Sequence, residues 1–261
     1  MAYFKASKNN TLGDIPSFSQ ATDEEITKAL EYHRRGLIDL TKYWAVGDER
    51  PILLNAMEAL SPLTDTHVAQ DNALVILDNR ELFNLSDSEG GGKNIFIIGL
   101  KYSLLEKGTP GGISGSESNT TFWKDTIRRT WCDEVFREAL PTEVKKWFKK
   151  FKYKSNYSND YTFFIESENY FVLPFWEDTT NCTTSSIAYY DKNRIPFTYY
   201  TNSNYNLPIS LIDGTTNISF WCPTSIFNNR KQTINYHYRN RIGGGSTNND
   251  NTYYLALYGV V

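Results

Sequence analysis

The chain has 261 residues, enough for one large or two small domains, with a formal net charge of −3 and an aromatic share of 15%. So many rings exclude a disordered chain, which lacks the apolar surface needed to order itself. A balance of 27 Lys/Arg against 30 Asp/Glu excludes a protein whose main business is neutralising nucleic-acid phosphates.

From the N terminus, residues 1–21 read as an irregular arm with neither the apolar run of a signal peptide nor that of a membrane span. Thr22-Asp23-Glu24-Glu25 is a capping box. The Thr22 hydroxyl can accept from the first turn while Glu25 reaches back to the cap. A helix follows through Ile26, Ala29, Leu30 and His33, with Gly36 as its stop. After Trp44 the pattern changes to strands over 51–59 and 68–77, and 94–100 (NIFIIGL) is an apolar run of buried-strand length. Ser86–Gly92 and 108–118 read as Gly-rich loops.

Trp123, Ile127, Trp131, Val135 and Ala139 keep helical spacing, capped by Thr120 or Thr121. Pro141 opens a second helix carrying Val144, Trp147, Phe148 and Phe151. Lysines 145, 146, 149, 150 and 152 lie between those apolar positions and read as one solvated helix face.

Beyond residue 152 the composition shifts. Residues 1–152 hold 42 charged side chains and 153–261 only 15, while 14 of the 18 tyrosines lie from Tyr153 onward. Few charges with much Tyr and Asn suit a contact surface: Tyr offers rigid area and Asn adaptable hydrogen bonds. An AT-rich genome would produce the same bias. Short strands are expected over 161–165, 170–175, 187–190, 218–222 and 253–260, separated by long loops.

Motifs for chemistry are missing. There is no G-x-S-x-G, S-x-x-K or H-E-x-x-H, and the Gly-rich segments lack the Lys-Ser/Thr of a phosphate loop. Cys132, Cys182 and Cys222 form neither a zinc spacing nor a disulfide framework, and Cys132 reads as a small core residue. His33, His67 (with Asp65 or Asp71 nearby) and His237 read as structural histidines, and neither Asp213 nor Asp250 sits in a calcium-loop spacing. The expectation is no catalytic residue, no cofactor, no metal, no nucleic acid and no membrane partner.

Several blocks do resemble a known family. Tyr43-Trp44-Ala45-Val46-Gly47-Asp48-Glu49-Arg50, Asn55-Ala56-Met57, His67-Val68-Ala69-Gln70, Phe122-Trp123, Ile127 to Cys132 and Phe136 to Pro141 are similar to a domain of unknown function common in Firmicutes phage and prophage proteins. So are Phe171-Val172-Leu173-Pro174 with Trp176-Glu177, Phe220 to Ser225, and Tyr254 to Val260. The resemblance spans about residues 22–261. It implies an α+β, C-type-lectin-like domain over 22–261, with two mid-chain helices, short antiparallel strands and long loops in its second half. Residue 152/153 is then a shift of composition within one domain.

The resemblance also implies a non-enzymatic virion protein of the tail fibre or baseplate type, assembled with other virion subunits and as a homo-oligomer, made in the bacterial cytoplasm. The late loops would form one exposed face including Tyr199, Tyr200, Tyr205, Trp221, Tyr236, Tyr238 and Arg239. Tyr, Trp and Arg are the residues enriched at interface hot spots, and such a face suits a host-surface receptor or glycan. A capsid or tail decoration protein is the alternative. An enzyme on a formylglycine-generating-type fold would need Cys182 and Cys222.

Overall fold

The computed structural model describes residues 15–60, 66–107, 123–125, 127–156, 164–174, 196–201, 218–228, 231–239, 252–255 and 257–261. The expected strand over 187–190, the loop over 108–118 and the caps Thr120 and Thr121 lie outside them, as do Asp65, Cys182, Tyr205, Asp213 and Asp250.

Helix α1, Asp23–Arg34, carries both halves of the capping box: Glu25 N–H donates to Thr22 Oγ1 and Thr22 N–H to Glu25 Oε2. Ile26, Ala29 and Leu30 form its buried stripe, and the chain leaves through Gly36 at a left-handed φ of 70°. The first sheet has five strands in the order β1-β2-β3-β11-β7. These are β1 (Glu49–Leu54), β2 (Gln70–Asp78), β3 (Ile97–Leu100), β7 (Phe171–Val172) and β11 (Tyr258–Val260), and every pairing is antiparallel. β1 is an edge strand and alternates exposed with buried positions at Pro51, Ile52, Leu53 and Leu54. Asn72 to Asp78 of β2 are all buried, because elements cover both faces of that strand.

The helix expected from Trp123 is shorter and less regular. Trp123–Asp125 is a 3₁₀ turn, and the helix α2 runs as an α turn (Ile127–Thr130), a π-helical segment (Trp131–Phe136) and a closing α turn (Arg137–Ala139). Pro141 is the cap of α3 (Thr142–Trp147), which stops before Phe148 instead of reaching Phe151. The reason is a backbone competitor: Lys149 N–H donates to Val260 O, and Ser86 N–H donates to Lys150 O. Those bonds draw 148–151 into extended pairing. β5 (Phe151–Asn156) then pairs with β6 (Phe164–Asn169), where Lys152 opposes Glu168 and Lys154 opposes Glu166.

The last strand expected over 253–260 is two strands in different sheets. β10 (Thr252–Leu255) belongs to a four-stranded sheet in the order β4-β10-β8-β9, whereas β11 lies between β3 and β7 in the first sheet. The other members are β4 (Leu104–Lys107), β8 (Ile218–Asn228) and β9 (Lys231–Arg239). β10 runs antiparallel to β4 and parallel to β8. The chain is thus α+β, with helices beside mostly antiparallel sheets.

One aromatic core joins these pieces. Phe18 lies 5.4 Å from Trp44 and 6.4 Å from Trp147, Trp44 lies 5.9 Å from Phe96, and Phe171 contacts both Phe136 and Phe148. Each fully buried ring contributes roughly 1.5–3 kcal/mol. Gly259 permits a close approach, since a Cβ there would sit 2.7 Å from both Phe148 Cδ1 and Tyr170 O.

Candidate functional site

The second sheet carries four residues of the expected contact face on a hairpin, of which the sequence reading expected only 218–222 as a strand. Trp221 lies in β8, and Tyr236, Tyr238 and Arg239 lie in β9. The hairpin is antiparallel from Ile218↔Arg239 to Asn228↔Lys231, with one irregularity. Phe220 pairs with His237 and Thr224 with Asn235, so Trp221-Cys222-Pro223 fall in a bulge on β8. Pro223 has no N–H for the ladder, which accounts for the break. Tyr236 and Tyr238 occupy alternate positions of β9, which pairs with β8 alone among the described residues.

Tyr199 and Tyr200 belong elsewhere. They sit in the short helix α4 (Thr198–Thr201), where Tyr199 is buried and Tyr200 half-buried, their rings 5.4 Å apart in T-shaped contact. Tyr199 therefore does not stand on an open face. The cause is an anchor at the end of β2. Asp78 has no exposed side-chain surface, and its carboxylate accepts from Arg80 Nε, from Thr198 N–H at 2.9 Å and from Thr198 Oγ1 at 3.3 Å. Arg80 Nη2 also donates to Pro196 O at 2.6 Å. Phe197 then meets the Tyr258 ring edge-on at 5.0 Å. Burial pushes the Asp78 carboxyl up, but the Arg80 and Thr198 hydrogen bonds outweigh it and hold the group below its ordinary value.

The densest polar network was not legible in sequence. The Ser86–Gly92 loop, expected to be solvated, is fastened by Glu89, whose Oε2 accepts from Lys149 Nζ at 3.0 Å and Oε1 from Tyr170 Oη at 3.2 Å. Burial raises the Glu89 carboxyl, and the Lys149 and Tyr170 contacts more than reverse that, leaving it lowered. Tyr170 is itself raised, first by burial and then by the Glu89 charge, so its hydroxyl stays protonated and acts as a donor. The Arg137 guanidinium stacks 4.0 Å from the Tyr170 ring centre, and Asp133 Oδ1 accepts from the N–H of both Tyr170 and Phe171. The π-helical segment sets Asp133 there. With its members drawn from four separate stretches of chain, this network fastens pieces together. The signal available in sequence was the lysine run.

Four of those five lysines are matched by a carboxylate: Lys145 with Glu138, Lys146 with Glu143, Lys149 with Glu89 and Lys152 with Asp87, while Lys150 Nζ lies 5.3 Å from the Tyr170 ring centre. A second partner of the basic face is not required by this geometry. Cys132 is fully buried, as expected of a core residue. His67 is buried, its backbone pairs with Met57, and its ring lies 5.8 Å from that of Trp131. Among the described residues no group of three or more His, Cys, Asp or Glu is placed to hold a metal ion, and no helix is long and apolar enough to cross a membrane.

The most specific block of the resemblance is occupied with folding. Trp44 Nε1 donates to Pro16 O, Ala45 N–H to Asp48 Oδ2, and Gly47 N–H to Ile76 O. Glu49 pairs with Lys101 at 2.6 Å, and Arg50 holds Phe18 O, Ala21 O and Asp23 together. No protein-family model, curated protein or solved structure matches the chain.

Proposed function

We propose that this chain is a non-enzymatic structural protein of a phage or prophage virion, of tail-fibre or baseplate type. In this reading it is built on a C-type-lectin-like frame and contacts a host-surface receptor or glycan through its Tyr/Asn-rich second half. The observation that carries the reading is the division of labour along the chain. The Trp44–Arg50 motif, the matched lysines and the Glu89 network are spent on internal contacts. The charge-poor second half supplies the hairpin β8–β9, with Trp221 in β8 and Tyr236, Tyr238 and Arg239 in β9. Aromatic rings and Arg are what concentrated binding energy ordinarily uses.

The decoration-protein reading is favoured by one feature, the position of β9 at the edge of its sheet among the described residues. Such an edge can accept a strand from another virion subunit. The two readings separate in a binding experiment with the labelled full chain and host cells. The receptor reading predicts saturable binding that falls at least about tenfold in the Trp221→Ala, Tyr236→Ala double variant, the scale of one hot-spot residue. Binding that survives the double substitution contradicts the proposed face. A chain that ignores cells yet assembles on particles lacking it is the decoration protein.

A further inference from the structure

Helix α1 ends beside a histidine placed to act as an acceptor. His33 Nδ1 accepts the backbone N–H of Leu40 at 2.9 Å, across the whole connection that follows the helix. A nitrogen that accepts must be unprotonated, so the ring is neutral with its hydrogen on Nε2. Leu40 is fully buried, and its carbonyl accepts from the N–H of both Tyr43 and Trp44. Trp44 in turn donates from its indole to Pro16 O and stacks in the core. One imidazole lone pair thus ties the end of α1 to the entry of the Trp44 block.

We infer that His33 is an acid-sensitive latch: protonation at Nδ1 sets two donors against each other and releases the 35–43 connection from the end of α1. No bond other than N–H is made or broken, and the proton comes from solvent. The groups that face the ring are Asp39 and Glu81, which favour the cation, and Arg34, which opposes it. Burial is the largest influence and, with Arg34, holds the ring below its ordinary value of 6.5. The bond is therefore intact at neutral pH and opens under mild acid. The connection it releases carries Leu37 and Tyr43, both about half exposed already, at 55% and 51%. Asp39 of the same segment is held low, first by its hydrogen bond from the Thr41 hydroxyl.

Amide exchange on the full chain, corrected for the intrinsic pH dependence of exchange, tests this. Protection of the Leu40 amide should fall by about tenfold, the equivalent of one net hydrogen bond, between neutral pH and a pH below the His33 midpoint. The His33→Asn variant offers an oxygen acceptor that does not titrate and should keep protection at both pH values. His33→Phe should lose it at both. A wild-type Leu40 amide indifferent to pH overturns the inference, as does an equal acid loss in His33→Asn. The ring itself gives a readout independent of any variant: nitrogen shifts at neutral pH must report the Nε2–H tautomer, and an Nδ1–H tautomer is fatal to the latch.

Discussion

Asp133 Oδ1 accepts the backbone N–H of Tyr170 at 2.8 Å, and through it helix α2 is bonded to the strand junction that leads into β7. The same oxygen takes the N–H of Phe171 at 3.0 Å. Burial raises the Asp133 carboxyl above its ordinary 3.8, the two N–H bonds and Arg129 opposing without cancelling it. The folded state therefore prefers the protonated acid. Its contribution is complete below pH 3.8 and is lost as pH rises through the raised folded value. Asp133→Asn keeps an acceptor and should change stability by less than about 1 kcal/mol while flattening that acid-side slope. Asp133→Ala orphans two N–H groups and should cost about 2–4 kcal/mol by urea unfolding.

Asp78 has the opposite sign. Burial raises it, but the hydrogen bonds from Arg80 and Thr198 win, so its folded value lies below 3.8. The stability it contributes is present above pH 3.8 and disappears as pH falls through the lowered folded value. Asp78→Ala removes the anchor of α4 and leaves Arg80 beside an apolar end of β2. The expected cost is about 3–5 kcal/mol, the scale of breaking a buried pair. Tyr199 should become accessible to quenchers at the same time, which tests the anchor separately from global stability.

Gly259→Ala is expected to destabilise strongly without changing polarity. The new methyl would lie 2.7 Å from Phe148 Cδ1 and Tyr170 O and 2.9 Å from Phe171 Cε1. A backbone oxygen and two packed rings cannot all retreat, so the cost should reach about 3 kcal/mol, the upper end for overpacking. Thermal or urea unfolding measures it. A stability change below about 1 kcal/mol would mean that β11 does not approach the 148–171 layer so closely.

Arg50 tests the motif block. Its guanidinium bonds Phe18 O, Ala21 O and Asp23 and lies 5.6 Å from the Trp147 ring, with 12% of the side chain exposed. Arg50→Met preserves the stem but orphans two carbonyls and Asp23, and should cost about 2–4 kcal/mol. Proteolysis near residue 20 should accelerate in step. An unchanged protein would show that the Tyr43–Arg50 residues serve something other than the fold.

The capping box of α1, the apolar β3 core and buried Cys132 were legible because each is written in adjacent residues or in a local period. The split of β10 from β11 was not: the run from Tyr253 to Val260 is apolar throughout, and only the partners decide which sheet each half joins. The early stop of α3 has a similar origin, since Lys149 N–H finds Val260 O, more than a hundred residues away. The expected contact face was divided for a related reason. Tyr199 looks like Tyr236 in composition, and only Asp78, reaching Thr198 across 120 positions, turns its helix inward.

The proposed role of this chain as a structural component of a virion is tested by quantitative mass spectrometry of purified particles from the producing host, with gold-labelled antibody locating the chain. The account predicts a fixed copy number per particle, at the tail tip or baseplate, that persists through density-gradient purification. A chain found free in the lysate and missing from intact particles contradicts it.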